Sequence, residues 1–426
     1  MDALVLSLLF VGFLVTSIPI GIAIGCAVLV FVLIYDVSGF SFMFQNMYSA
    51  INSFPLMAVP FFMLTGSIME GGGLSQRIVN VANKLVGNRT SGLAIVAILA
   101  CMFFGAISGS APATLAAIGT IMVPAMVKHR YSKNFSVGVV TTAGGLGIII
   151  PPSIPLVIYG VGTMTSIGDL FIAGIGPGVV VGVFLMITAR IVGKKRGYTG
   201  TGERFSFREA GKAAWEAKWA LFMPLIILGG IYGGIFTPTE AAVVGVVYGM
   251  FVGFFIYKEL TIKRLMEVFV DNASLVGASF LIFGFATSLS FLVSVTMLPD
   301  RLSEAISMIS TNKYVVLFIV NIFLILLGML MDTMSANLIF SPLLLSIVAP
   351  LGVDPVHFGI VITIALALGF VTPPMATNLF LASTIFDIPV QEIIKEELPF
   401  VFAMILALFV VTFIPQISLF LVQFLH

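Results

Sequence analysis

Apolar residues in this chain run in long blocks instead of alternating with polar ones. Stretches 3–17, 19–35, 50–70, 134–165, 168–193, 218–236, 238–257, 273–297, 356–387 and 397–425 are almost entirely apolar. A helix needs ~20 such residues to cross a bilayer, fewer where neighbours thin the local span, so each block reads as a membrane helix. Two further blocks, 91–127 and 313–351, are broken at their middles. The breaks are Gly105-Ala-Ile-Ser-Gly-Ser-Ala-Pro112 and Met331-Asp-Thr-Met-Ser-Ala-Asn337. Small, polar and proline residues at mid-block predict a helix–turn–helix that enters and leaves on one side of the membrane.

The pattern occurs twice. Gly147-Ile-Ile-Ile-Pro-Pro-Ser153 returns as Gly369-Phe-Val-Thr-Pro-Pro-Met375, and the first broken block returns as the second, each ending in a proline, Pro124 and Pro350. Ser17-Ile-Pro-Ile-Gly21 corresponds to Thr237-Pro-Thr-Glu240, and Leu74-Ser75 to Leu302-Ser303. Each copy then holds three crossings, a broken hairpin and two more crossings. The first repeat covers 1–195, a basic linker 196–217, and the second repeat 218–426. Five crossings is an odd number, so the second copy must be inverted and the hairpins open from opposite sides. The predicted fold is an all-α polytopic membrane protein of two inverted-topology repeats, with two re-entrant helical hairpins and two unwound Pro-Pro helices. This is the architecture of secondary transporters.

Charge orients the chain. Basic clusters at Lys128, Arg130 and Lys133, at Lys194 through Lys212, and at Lys258, Lys263 and Arg264 are each separated by two crossings. All three therefore fall on one side, the cytoplasm by the positive-inside rule, with both termini opposite. The start, MDALVLSLLFVGFLVTS, lacks a basic flank and a cleavage site and reads as a retained helix. Trp215 and Trp219 read as interface anchors, and 74–87, following the flexible Gly71-Gly-Gly73, as an interfacial arm helix.

Composition narrows the function. The chain is 426 residues, 59% hydrophobic and 9% charged, with a net charge of +1, which excludes a soluble enzyme and makes nucleic acid an unsuitable partner. Three scattered histidines cannot build a His-rich metal centre, and Cys26 and Cys101 read as buried free thiols. Asn88-Arg-Thr90 matches a glycosylation sequon but falls on the basic side and is discounted.

Candidate chemistry lies where the apolar blocks break. Two consecutive prolines remove two N–H donors, so the helix unwinds and frees carbonyls at Gly147, Ile150, Gly369 and Thr372. A bound Na⁺ would satisfy several of them at once; a simple kink relieved by water or hydroxyl side chains is the structural alternative. The hairpin tips add Gly105, Ser108, Gly109 and Ser110 in one copy and Gly328, Asp332, Thr333, Ser335 and Asn337 in the other. The N-terminal ends of the outgoing arms, near Thr114 and Asn337, suit an anionic group. Candidate substrate contacts are Ser110, Thr114, Asp332, Thr333, Ser335, Asn337 and Asn378. Asp332 either neutralises a cation or caps the second arm. Glu240, three residues after Thr237, reads as half of a capping box.

These residues resemble a known family. Pro60-Phe-Phe-Met-Leu-Thr-Gly66, Phe104-Gly-Ala-Ile-Ser-Gly-Ser110, Gly145-Leu-Gly-Ile-Ile-Ile-Pro-Pro-Ser153, Thr237-Pro-Thr-Glu-Ala-Ala242 and Leu368-Gly-Phe-Val-Thr-Pro-Pro374 are similar to motifs of the large membrane subunit, DctM/SiaM type, of tripartite ATP-independent periplasmic (TRAP) transporters. The resemblance implies a Na⁺-coupled importer in a bacterial inner membrane, moving a transport domain (about 91–165 and 313–387) as an elevator against a scaffold. It implies a carboxylate solute, of the C4-dicarboxylate or sialic acid class, and two partners: a small four-helix membrane subunit and a periplasmic substrate-binding protein. By matching motif, one Na⁺ site comprises Gly105, Ser108, Gly147, Ile150 and Ser153, and the other Gly328, Gly369, Thr372 and Met375. The chain shows no extra N-terminal helices and so looks like the form whose small subunit is separate. A single-component Na⁺/dicarboxylate carrier of the same superfamily and, more remotely, an intramembrane enzyme are the rival readings.

Overall fold

The computed structural model describes residues 2–15, 18, 20–35, 40–86, 90–200, 206–298, 304, 310–374 and 376–425, and among these all regular structure is helical. The first repeat contains α1 (Asp2–Val15), α2 (Ile20–Tyr35), α3 (Phe40–Ile51), α4 (Ala58–Gly71), α5 (Leu74–Val86), α6 (Gly92–Ser108), α7 (Ala111–Lys128), α8 (Lys133–Gly144), α9 (Leu146–Ile149), α10 (Ile154–Thr163) and α11 (Ile167–Lys195). After α12 (Phe207–Glu216), the second contains α13 (Lys218–Tyr232), α14 (Pro238–Phe251), α15 (Ile262–Val295), α16 (Lys313–Leu330), α17 (Thr333–Val348), α18 (Pro355–Gly369), α19 (Thr377–Phe386), α20 (Val390–Phe413) and α21 (Gln416–Leu425). Among the described residues eight helices are long and apolar enough to cross a membrane, or ten if each of two bent pairs is one span.

Both broken blocks form hairpins, and each turn has a local cause. The first arm α6 stops because Gly109 adopts φ +61°, and its N–H caps the Gly105 carbonyl at 3.1 Å. The second arm α7 starts on Ser110, whose hydroxyl accepts the Ala113 N–H at 3.4 Å. In the other hairpin α17 starts on Asp332, whose carboxylate accepts the Ser335 N–H at 3.0 Å. The Pro-Pro segments divide α9 from α10 and α18 from α19, and both Pro–Pro peptide bonds are cis.

The two copies interlock. The return helix α10 of the first break packs on the hairpin arm α17, and the return helix α19 of the second break packs on α7. The first break is seated in a small-residue groove of α11. Added methyls would lie 2.8 Å from the Pro151 ring at Gly174 and 2.5 Å from Ile150 Cγ1 at Gly178. This Gly-x-x-x-Gly spacing lets the irregular segment approach the neighbouring helix closely.

Several boundaries differ from the sequence expectation. The block at 273–297 begins eleven residues earlier as α15, because Thr261 caps it and Lys263, Arg264, Glu267 and Asp271 extend the helix beyond its apolar part. The block at 397–425 is split at Pro415, and the interval between the blocks 19–35 and 50–70 is helical from Phe40. The basic linker contains α12. Cys101 is buried, but Cys26 is only partly so, since it lies on the outer helix α2. The arm at 74–87 forms as α5, and Thr237 with Glu240 makes the expected capping box. Ser17 and Pro19, Asn88, Leu302, Ser303 and Met375 lie outside the described residues.

Candidate functional site

Each hairpin tip meets the break of its own repeat through a pair of glycines. A methyl built on Gly105 would come 2.9 Å from the Gly147 Cα. In the second copy a methyl on Gly328 would lie 3.4 Å from the Gly369 Cα, and one on Gly369 would overlap the Gly328 carbonyl. Main chain therefore crosses main chain at equivalent places, with no room for a side-chain carbon at Gly105 or Gly369.

The prolines decide which carbonyls are left over. The i+4 partners of Gly147 and Ile148 are Pro151 and Pro152, and those of Gly369 and Phe370 are Pro373 and Pro374. Two of the four acceptors are rescued: Ser153 Oγ donates to the Ile148 carbonyl at 2.5 Å, and the Asn378 N–H to the Phe370 carbonyl at 3.0 Å. Among the described residues no hydrogen bond reaches the Gly147 or the Gly369 carbonyl. Each crossing thus leaves one buried glycine carbonyl needing a partner, where an unpaired acceptor is costly.

Hydroxyls surround the first crossing. Ser108, Thr114 and Ser153 are all fully buried. Ser108 Oγ lies 3.0 Å from Thr114 Oγ1, which donates to the Ser110 carbonyl at 2.8 Å. The Ile154 N–H donates to the Gly109 carbonyl at 3.4 Å, so the tip runs alongside the break. This is an oxygen-rich, acid-free donor set, the kind a hard monovalent cation takes from unwound backbone. At the second crossing Thr372 Oγ1 donates to the Leu368 carbonyl at 2.5 Å and Thr333 Oγ1 to the Leu366 carbonyl at 3.4 Å.

A cavity of about 540 Å³ is lined jointly by the two tips, α4 and α15. Of the candidate substrate contacts, Ser110, Asp332 and Thr333 line it. Thr114, Ser335, Asn337 and Asn378 do not. Ser335 Oγ donates to Asp332 at 2.6 Å, Asn337 Nδ2 to the Pro155 carbonyl at 2.8 Å, and Asn378 Nδ2 to the Thr141 carbonyl at 3.3 Å. The two amides tie one repeat to the other, each committing an N–H to that bond.

Sequence reasoning missed Glu70, Ser67 and Asn272, which face the tips across this cavity. Glu70 was readable as an acid closing an apolar block. Asn272 stood one residue outside the block assigned to its helix.

Asp332 is a helix cap in this geometry, both carboxylate oxygens being engaged by Ser335. Asparagine caps equally well. Asp332→Asn is expected to keep uptake within about twofold of the wild type, and Asp332→Ala to lose about 1 kcal/mol of stability in a thermal unfolding series. Loss of uptake in the asparagine variant with unchanged stability would instead assign a role to the charge.

Comparison with known proteins follows the same lines. The sequence pattern of the family described as "Tripartite ATP-independent periplasmic transporter, DctM component" matches residues 7–417. The isethionate TRAP transporter permease protein DctMQ of Oleidesulfovibrio alaskensis is 41% identical over 411 residues, covering 96% of this chain and 65% of that relative, so the chain spans just under two thirds of its length. The C4-dicarboxylate TRAP transporter large permease protein DctM of Rhodobacter capsulatus is 37% identical, with 98% of both chains covered. The sialic acid TRAP transporter large permease protein SiaM of Vibrio cholerae is 36% identical, covering 97% of this chain and 96% of that one. Among solved structures, the Alcanivorax borkumensis YdaH transporter superposes with a TM-score of 0.65 at 15% identity, covering 97% of this chain and 98% of that chain, a likeness of fold.

Proposed function

Because the chain belongs to the tripartite ATP-independent periplasmic transporter family, as its DctM component, we propose that it is the large membrane subunit of a Na⁺-driven importer for a carboxylate-bearing solute, in a bacterial inner membrane. The relatives named for C4-dicarboxylates and sialic acid support the solute class. The family implies a substrate-binding protein and a small membrane subunit as partners. The observation that carries Na⁺ coupling is the mirrored pair of glycine crossings, each with a carbonyl left without a donor.

Electrostatics supports the coupling. The cavity lining contains Glu70 and Asp332 and no Lys, Arg or His, while Arg264 acts on Glu70 from beside α4, outside the lining. The N-terminal ends of α7 and α17 contribute roughly half a positive charge each. With Arg264 opposing Glu70 and the Asp332 carboxylate opposing the two helix ends, these groups leave no net positive charge for an anionic solute. Cations held at the breaks beside the tips supply the missing positive charge, so solute binding is favoured once Na⁺ is bound, and by linkage the solute favours Na⁺.

Residues of about 91–165 and 313–387, which carry both tips and both breaks, form the moving unit of this elevator, and the remaining helices its scaffold. The cavity at their boundary, with α4 and α15 opposite the tips, suits that division.

The test is reconstitution in liposomes with the small subunit and a solute-loaded binding protein. Uptake of labelled C4-dicarboxylate or sialic acid is expected to be at least about tenfold faster with an inward Na⁺ gradient than with K⁺, a difference of about 1.4 kcal/mol. Equal rates in K⁺ would overturn Na⁺ coupling. Full uptake by this chain alone would favour the single-component carrier.

A further inference from the structure

On the face carrying the basic loops, the amphipathic helices α5 and α12 pack together without crossing the membrane. No residue of α12 is buried. At its end the chain bends by 67° into α13, presenting Trp215, 69% exposed, beside Trp219. A cleft of about 610 Å³ lies between this elbow, α5 and the segment Tyr257–Glu259.

Charges in the cleft are unevenly engaged. Arg77 is fully committed: it pairs with Glu259 at 2.8 Å, donates to the Gly73 carbonyl at 2.6 Å and stacks 3.7 Å from the Tyr257 ring centroid. Lys218 is not. Its ammonium sits 3.7 Å from the Trp215 ring centroid and 5.4 Å from that of Trp219, with no ion-pair partner among the described residues. The Glu216 carboxylate also lacks one; only its main-chain carbonyl is engaged, by Tyr257 Oη at 3.4 Å. One ammonium and one carboxylate thus stand open two positions apart, where the two indoles mark a membrane interface. Below them on α13, Phe222 and Leu225 are exposed at helical spacing from Lys218, continuing an apolar track away from the cleft.

The geometry points to a binding site for a phospholipid of the cytoplasmic leaflet with a zwitterionic phosphoethanolamine headgroup. Its phosphate pairs with Lys218, its amine with Glu216, and its chains follow Phe222 and Leu225. The separated opposite charges match a zwitterion better than an anionic headgroup, and the apolar track distinguishes a lipid from a soluble phosphoester.

Trp215 and Trp219 are the chain's two tryptophans, so intrinsic fluorescence reports this cleft directly. The full chain is reconstituted in phosphatidylcholine liposomes, and quenching is titrated with chain-brominated phosphatidylethanolamine, phosphatidylglycerol or phosphatidylcholine. Brominated phosphatidylethanolamine is expected to bind about fivefold more tightly than phosphatidylcholine, equivalent to about 1 kcal/mol. Lys218→Ala and Glu216→Gln should each bring the ratio to about one, with Lys218→Arg retaining it. Equal quenching by all lipids in the wild type, or an unchanged preference in Lys218→Ala, overturns the site. An equal preference for phosphatidylglycerol overturns the zwitterion assignment. A tryptophan emission shift with micromolar phosphoethanolamine in lipid-depleted detergent solution would make the cleft a soluble-ligand site instead.

Discussion

Gly369→Ala is expected to abolish Na⁺-driven uptake while the protein still reaches the membrane. The added methyl would overlap the Gly328 carbonyl and lie close to the rest of that residue's backbone. No side chain can rotate away from such a contact, so the second hairpin tip must shift relative to the break. Overpacking of this kind costs about 1–3 kcal/mol, and a displacement of about 1 Å at a binding constellation costs about 100-fold in rate. Gly229, with nothing within 4 Å of an added methyl, provides the control: Gly229→Ala should transport normally. A second readout separates site damage from misfolding. Na⁺ should raise the unfolding temperature of the wild type by mass action and leave that of Gly369→Ala unchanged. Wild-type uptake in Gly369→Ala would remove the crossing from the mechanism.

Ser108→Leu should be nearly as severe, for a different reason. Ser108 is fully buried, its Cα lies 3.0 Å from where a methyl on Gly66 of α4 would stand, and its hydroxyl is 3.0 Å from Thr114 Oγ1. Leucine cannot fit there without parting the first tip from α4, and uptake is expected to fall about 100-fold. Ser108→Ala keeps the space and removes only the oxygen. It is expected to transport, with a Na⁺ half-saturation raised about tenfold, the effect of losing about 1.4 kcal/mol of ion binding. An alanine variant with wild-type Na⁺ dependence would show that the hydroxyl does not hold the ion, and normal uptake in the leucine variant would dismiss the first site altogether.

Much of the architecture was legible because membrane helices are written in one dimension. An apolar block, a mid-block Gly-Ser-Pro interruption and a Pro-Pro pair each act on the backbone locally. Two caps were legible for the same reason, Thr237 with Glu240 and, as one of two readings, Asp332, since each bonds a main-chain N–H within three residues; Ser110, read only as a tip residue and substrate contact, caps α7 in the same way. The substrate contacts were harder to read. Asn337 and Asn378 look like tip and break residues in sequence, yet each spends its amide donor on the other repeat, at Pro155 and Thr141. Glu70 and Asn272 are unremarked in sequence and line the cavity because α4 and α15 are packed opposite the tips.

By itself the sequence determined that the chain is a membrane protein of two copies and where each copy breaks, and it named Gly147 and Gly369 but not Ile148 and Phe370 among the carbonyls whose i+4 residue is a proline. Those properties depend on hydropathy and on bonds spanning four residues. Only the tertiary structure decided which broken segments meet, that Gly105 faces Gly147 and Gly328 faces Gly369, and that α7 and α17 are braced by the return helix of the opposite copy. Contacts between residues far apart in the chain depend on how helices pack, and small residues specify only that an approach is possible, not which partner makes it.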